Sequence, residues 1–372
     1  MRFRAKIAAI CSSAVIGAVS LILPSVSFEK SPRTNNISLK ATPVPTPSEK
    51  DTVSPTAVAA PVITSTPIPT PAPTPTPSLK DKQKAKLLSD YLYDGNNATF
   101  APMVRNYLKA CYRNDSEMLT SFVTDNTDAA NFVSIRKDSG NVAELSDIKL
   151  YYKNGINEVN YVVYATYTIH YKDTSLSPKP AFTELLIQDE DGFFSKIYNG
   201  DVSEETSELL LESRKTRSVV EHSSYAMIQN YHAALVSAND ELLSSCVNDM
   251  SQINWDYYNL RYNATECFSD YEAGLYESNH LEFDYILVCS FSEKFVLVKT
   301  PAPCIETYMI GINDSTGLPY VFLGDICSET EQFINEFCAS DEIQALADET
   351  QEKMKAAILS DSDLKKYYYN MQ

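Results

Sequence analysis

Residues 161–171 read Tyr-Val-Val-Tyr-Ala-Thr-Tyr-Thr-Ile-His-Tyr, a run of β-branched and aromatic side chains that predicts a strand. With a period of two, Tyr161, Val163, Ala165, Tyr167 and Ile169 share one face; Val162, Tyr164, Thr166, Thr168 and His170 share the other. The first set is the more apolar and predicts the covered face. Residues 285–295 repeat the arrangement, with Tyr285, Leu287, Cys289 and Phe291 in the apolar phase and Asp284, Ser290, Ser292 and Lys294 in the polar one. Ahead of each strand the period changes to that of a helix. Val104, Tyr107, Leu108 and Cys111 line one helical face, and Ile228, Tyr231 and Leu235 line another. Short helices follow, with Met118, Leu119 and Phe122 inward in one and Leu242, Leu243 and Cys246 in the other. Ser78-x-x-Asp81 and Ser328-x-x-Glu331 read as capping boxes, and Ser203 precedes the acidic first turn Glu204-Glu205. Further strands are predicted over 182–188, 193–199, 305–312 and 319–323. Turn chemistry at 189–192 and 313–317 separates them.

The two halves match at a spacing of 124 residues. Asn106-Tyr107 recurs as Asn230-Tyr231, Glu158 as Glu282, Tyr152 as Tyr276, Thr183 as Thr307, Gly200-Asp201 as Gly324-Asp325 and Glu205-Thr206 as Glu329-Thr330. Slips of one residue occur, as between Ile135-Arg136 and Leu260-Arg261. A period of this length is that of a whole domain, not of a solenoid repeat. The reading is therefore two copies, 78–204 and 205–330, with a helical tail over 331–372. In the tail Ile343, Leu346, Ala347, Met354 and Ile358 mark an amphipathic helix. Helices first and a meander of strands afterwards predict α+β, with helices on one face of a curved antiparallel sheet of about four strands.

Before Ser78 the chain changes character. Arg2, Arg4 and Lys6 precede an apolar run from Ile7 to Leu23, and Ser25-Val26-Ser27 offers small residues for a peptidase. Residues 1–27 read as a secretory signal. The same run lies at the lower edge of a bilayer span, which leaves an uncleaved anchor open. Residues 28–77 read as a disordered linker. The stretch 41–77 holds 11 Pro and 9 Thr, a composition that forms neither helix nor sheet and stays extended as a stalk. The expected location is outside the cytoplasm, secreted or held at the cell surface, with membrane contact only through the N-terminal segment. Across the chain 31 basic residues face 49 acidic ones, a formal charge of −18. That field excludes nucleic acid as a partner. Only 10 residues are Gly and no G-x-G occurs, so neither a dinucleotide fingerprint nor a phosphate loop is present.

The pattern YVVYATY, then SPKPAFTELLI, then the turn DEDG and FFSKIYNGDVSEE resembles secreted modules of Gram-positive anaerobes. The helix–helix–meander order resembles the cone fold of the nuclear-transport-factor-two-like (cystatin-like) family. The resemblance covers roughly residues 85–330 and implies two tandem cones. In enzymes of that wider fold a pocket between helix and sheet holds the active residues; no motif here carries one over.

Candidate chemistry is sparse. Tyr161, Tyr167 and Tyr285 on the strands, with Tyr107 and Tyr231 on the helices, are the candidates to line a ligand pocket; a packed core with satisfied hydroxyls is the competing reading. His170 reads as a solvated strand histidine and His232, in the slot of Leu108, as a core or boundary one. His222 and His280 have no metal-ligand spacing. No catalytic residue, metal site or cofactor is implied, since H-E-x-x-H, C-x-x-C and G-x-S-x-G are all missing. Beyond Cys11 seven cysteines remain, and six of them fall in the second copy and the helix after it. Cys289 and Cys304, on consecutive strands, are the pair to test for a disulfide; buried thiols are the alternative. The expectation is an extracytoplasmic, envelope-associated binding or interaction protein with an unidentified ligand. An isomerase or dehydratase working in the cone and a structural envelope protein are the alternatives.

Overall fold

The computed structural model describes residues 78–372 apart from 114, 125–140, 175–177, 191–193, 279–281 and 371–372. The signal or anchor with Cys11, the Pro/Thr segment, the Ile135-Arg136 match, the Gly192 turn with Phe193, and His280 lie outside these residues. The fold is α+β with two antiparallel sheets, one of five strands and one of four.

The first sheet is a meander of β1 (Tyr93–Asp94), β2 (Val142–Asn154), β3 (Tyr161–Tyr171), β4 (Lys179–Glu190) and β5 (Phe194–Ile197). Three helices come before or within it: α1 (Leu79–Leu87), α2 (Ala101–Arg113) and α3 (Ser116–Phe122). The second half opens with α4 (Glu204–Arg214), α5 (Arg217–Ser237), α6 (Asp240–Cys246) and α7 (Trp255–Ala264). Its sheet is β6 (Thr265–Glu277), β7 (Tyr285–Phe295), β8 (Ala302–Ile312) and β9 (Pro319–Val321). Then come α8 (Ser328–Cys338), α9 (Asp341–Ser360) and α10 (Ser362–Asn370).

The same backbone devices recur in both halves. Val123 forms an isolated parallel bridge to Ile197, and Val247 forms one to Val321. β2 and β6 each carry a bulge, between Ser146 and Lys149 and between Ser269 and Glu272. At these bulges Asp147 and Asp270 sit at φ 53° and 54°, a left-handed conformation that Asp tolerates. Each is steadied by the preceding serine, whose Oγ donates to the Asp Oδ2 at 2.8 and 2.9 Å. Register corrects two of the sequence matches. Tyr152 lies opposite Val163, whereas Tyr276 lies opposite Ile286, so the counterpart of Tyr152 is Leu275. Likewise Thr183 lies opposite Ala165 and Glu306 opposite Cys289, so Glu306, not Thr307, occupies the Thr183 position. A slip of one residue moves a strand side chain to the other face.

The expected helical cover on one face is half of the arrangement. The apolar phase of β3 does face an interior closed by α2 and α3, where Tyr107, Leu108, Cys111, Val163, Ala165 and Tyr167 are buried. Yet Val162 and Tyr164, in the other phase, are also fully buried, against Leu87, Leu209, Leu210 and Val219. β7 behaves alike: Leu287 and Cys289 face an interior under α5, while Ile286 and Val288 pack on Ile334, Ile343 and Ala347. Each strand reads polar only past its midpoint, at Thr166, Thr168 and His170 or at Ser290, Ser292 and Lys294; the opening residues of both phases are apolar. α5 therefore has two tasks. Its first turns cover the outer face of the first sheet and its later turns close the interior of the second.

Caps fix where the helices begin. Ser78 and Asp81 form the predicted capping box. The cap of α8 is Cys327 and not Ser328, because the carboxylate of Glu282 accepts from the Cys327 N–H at 3.3 Å and the Thr330 hydroxyl at 2.8 Å. Glu158 does the same for α4, accepting from the Ser203 N–H at 2.6 Å.

The halves are joined by Arg214 of α4. It forks onto Glu184 of β4 at 3.0 and 2.7 Å and donates to the Thr316 carbonyl at 3.3 Å. Beneath it Gly317 sits at φ +68°, and a Cβ there would lie 2.8 Å from the Arg214 Cβ and 3.1 Å from the Leu211 carbonyl. Gly317→Ala is expected to cost about 1–3 kcal/mol through backbone strain and this clash. Urea unfolding at constant slope checks it; an unchanged midpoint would refute the claim that this turn is tightly packed.

Candidate functional site

Two buried polar clusters lie inside the molecule, one beneath each sheet. In the first half Tyr112 of α2 lies 3.1 Å from the Tyr167 hydroxyl on β3, which in turn lies 2.8 Å from Thr183 Oγ1 on β4. Burial drives both phenol pKa values upward. The cluster is thus a neutral hydroxyl chain in an apolar core, with no group that ionises near neutral pH.

The second half places charge in the equivalent space. α7 runs directly into β6, and Arg261 in its last turn points under the sheet. It donates to Glu293 Oε2 on β7 at 2.7 Å and to Glu306 Oε1 on β8 at 2.5 Å. Its guanidinium also stands 5.5 Å from the Phe268 ring centroid. The Thr265 hydroxyl donates to Glu293 Oε1 at 2.6 Å. Glu293 is fully buried, while the side chain of Glu306 keeps a quarter of its surface exposed. Burial pushes the Glu293 carboxyl up despite Arg261. Burial also raises Glu306, but the Arg261 charge and the Tyr308 hydroxyl outweigh it and hold that carboxyl below its usual range.

From Glu306 a hydrogen-bonded relay leads inward. The Tyr308 hydroxyl donates to Glu306 Oε2 at 2.5 Å. Tyr308 lies 2.6 Å from His232 Nε2, and Tyr271 lies 2.9 Å from His232 Nδ1. Donor arithmetic assigns every proton. An ionised Glu306 only accepts, so the Tyr308 proton points to it; His232 Nε2 must then carry the hydrogen, and Tyr271 donates to Nδ1. His232 is buried between Phe268 and Phe291, at 4.4 and 4.7 Å between centroids. Burial lowers its pKa to about 3, so it is a neutral imidazole. The relay is oriented from Tyr271 through His232 and Tyr308 to the one partly open carboxylate. The ionised Glu306 can take a proton from a ligand, while the neutral hydroxyls and imidazole behind it hold its orientation and supply no proton.

The five candidate tyrosines divide between the two halves, Tyr107, Tyr161 and Tyr167 in the first core and Tyr231 and Tyr285 at the second. Tyr107 is fully buried on α2. Tyr161 packs on Phe100 and Tyr152 at 5.3 and 5.7 Å. Tyr167 belongs to the hydroxyl chain. Tyr231 joins the charged cluster from α5, 6.1 Å from Tyr308 and 6.0 Å from His232 between ring centroids. Tyr285, at the start of β7, packs against the same core, where burial and then Glu277 and Asp284 raise its pKa. His170 is not simply solvated: its Nε2 lies 2.8 Å from Ser146 Oγ. His222 stacks on Tyr151 at 4.2 Å, and burial lowers its pKa.

Cys289 and Cys304 are both free thiols. Cys289 faces Glu306 and Cys304 faces Phe291 across the ladder, so the two are diagonal neighbours. Diagonal positions stand about 7–8 Å apart, beyond the usual Cα span of a disulfide. Burial raises the Cys289 thiol to about 12 and Cys304 well above its ordinary value, which makes both unreactive.

Sequence reasoning missed Arg261, Glu293, Glu306, Tyr271 and Tyr308. The available signal was phase: Glu293 follows Phe291 on the apolar side of β7, and Glu306 lies between Cys304 and Tyr308 on the apolar side of β8. Among the described residues no group of three or more His, Cys, Asp or Glu is placed to hold a metal ion, and no helix is long and apolar enough to cross a membrane. No family model matches the chain, and no curated protein or solved structure matches it either.

Proposed function

We propose that residues 78–204 and 205–330 are two tandem copies of one cone-like α+β domain. They act outside the cytoplasm as an envelope-associated interaction protein with no reaction of its own. An N-terminal signal or anchor and a Pro/Thr-rich spacer place them there, as their composition implies. One observation carries the reading: the two polar networks beneath the sheets spend their groups on one another. The hydroxyl chain of Tyr112, Tyr167 and Thr183 holds the first core, and the Arg261 network holds the second. A catalytic group has to be left over for a substrate, whereas a satisfied network specifies a core.

The partly open Glu306 favours a second reading, a small-molecule isomerase or dehydratase working in the second cone with Glu306 as the proton-exchanging carboxylate. The separating experiment incubates the full chain with washed cell-envelope fractions and measures sedimentation. Under the first reading the chain sediments with the envelope, and Glu306→Gln sediments equally well. Loss of binding in Glu306→Gln, or conversion of an envelope-derived small molecule that this variant abolishes, would favour the second.

A further inference from the structure

The offset that relates the two halves continues past residue 330, into the helices that looked like a tail. α4 begins at Glu204 and α8 at Ser328; α5 begins at Arg217 and α9 at Asp341. Both steps equal the spacing of the repeat. A short third helix follows in each case, α6 after α5 and α10 after α9, just as α3 follows α2.

Packing follows the same correspondence. On the outer face of the first sheet, Val159 and Val162 meet Leu210 of α4 and Val219 of α5. On the outer face of the second, Phe283 and Ile286 meet Ile334 of α8 and Ile343 of α9. Each of these four residues of the second site stands at the repeat spacing from its counterpart. The polar strap recurs too: the buried Thr206 and Thr330 lie one turn inside the caps that Glu158 and Glu282 hold.

The difference lies in the later turns. In α5, Met227, Ile228 and Tyr231 turn into the second interior. Their counterparts in α9 are Gln351, Glu352 and Lys355; Glu352 and Lys355 are exposed and Gln351 is half-buried. Lys355 and Glu352 pair with each other at 2.6 Å in solvent. α9 instead buries Met354 and Ile358 against Phe295, Val298 and Leu364.

We infer that residues 327–370 are the helical half of a third copy, converted into an end cap. Their first part occupies the surface on the second sheet where a following copy docks. Their second part has exchanged the apolar face that opens a new cone for a polar one. The surface fits one kind of partner, the α4–α5 helix pair of this chain, and the resident cap keeps a second molecule from supplying it. Repeat arrays end in units whose outer face is polar for the same reason.

The inference rests on the tandem-copy reading, and two variants of the full chain separate the two. A chimera carrying residues 203–223 in place of 327–347 tests the equivalence. It is expected to melt cooperatively within about 5 °C of the parent, a shift worth roughly 1–2 kcal/mol. Loss of cooperative melting of the second half would overturn the equivalence and the tandem reading with it. Gln351→Met/Glu352→Ile/Lys355→Tyr restores the face of α5 at two exposed positions and one half-buried one. Light scattering is expected to give at least twice the molar mass of the parent chain, which itself stays monomeric. A triple variant that remains monomeric, or a parent chain that already associates, would overturn the cap while leaving the tandem reading intact.

Discussion

Arg261→Met is expected to destabilise the second half by about 3–5 kcal/mol at pH 7, the cost of leaving a buried charge without its partner. Two carboxylates depend on this one guanidinium, and Glu293 has no exposed surface through which water could replace it. Methionine keeps the bulk of the arginine stem, so the loss reports charge and hydrogen bonding more than a cavity. Acid should shrink the difference from the parent, because unpartnered buried carboxylates take up protons readily. The parent's own pair works in opposite directions. Glu306, held low, adds stability above its unfolded value near 4.5 that is lost as pH falls through its folded value. Glu293, pushed up, adds stability below that value that is lost as pH rises through its folded one. Combining Arg261→Met with Glu293→Gln and Glu306→Gln should recover most of the loss. Urea unfolding of the parent, the single variant and the triple variant at pH 7 and pH 5 measures all of this. A single variant as stable as the parent at pH 7 would mean that water already serves the two carboxylates.

The fold was largely legible because its strand and helix patterns recur at a spacing of 124 residues. Alternation in 161–171 and again in 285–295 located both central strands and the face each turns inward, and helical periodicity located α2, α3, α5 and α6. What escaped had a weaker pattern. β2 and β6 are broken by bulges at Asp147 and Asp270, so their alternation slips midway and they do not read as strands. β1 is two residues long. Tyr152 and Tyr276 show how an identity can mislead: the repeat slips by one residue there, and in a strand that is a change of face. The outer helical layer was hidden by averaging each strand phase along its whole length, when Val162 and Tyr164 are apolar and Thr166 and Thr168 are not. The charged cluster was hidden for a different reason. Its members come from α5, α7, β6, β7 and β8, and only the closing of the sheet over α5 joins them. Glu293 and Glu306 in apolar phases were the readable half of that signal; the arginine that makes them tolerable sits on a helix with no clear apolar face.

His232 makes the second half acid-labile. In the unfolded chain its imidazole titrates near 6.5, whereas in the fold burial keeps it neutral down to about 3. Folded His232 is thus a depressed group. It contributes stability that is fully present above pH 6.5 and drains away as the pH falls toward its folded value, at about 1.4 kcal/mol per pH unit. Between pH 6.5 and pH 4 the loss comes to about 3 kcal/mol, a large part of the 5–15 kcal/mol that holds a typical domain together. The first half offers an internal control, since Leu108 stands where His232 stands and, among the described residues, no imidazole enters the core that Leu108 joins. His232→Leu copies that solution but takes their imidazole partner from the Tyr271 and Tyr308 hydroxyls, at about 1–3 kcal/mol independent of pH. His232→Gln offers a donor and an acceptor without a titration. Both variants should show a flatter stability profile between pH 6.5 and pH 4 than the parent, with His222 leaving a smaller residue of the same sign. Chemical denaturation across that range gives the slope, and the imidazole resonances of the folded chain give its cause. A His232 ring that titrates near pH 6.5 in the folded protein would mean that the relay is open to water. The neutral imidazole between Tyr271 and Tyr308, and the proton order drawn from it, would then be lost together.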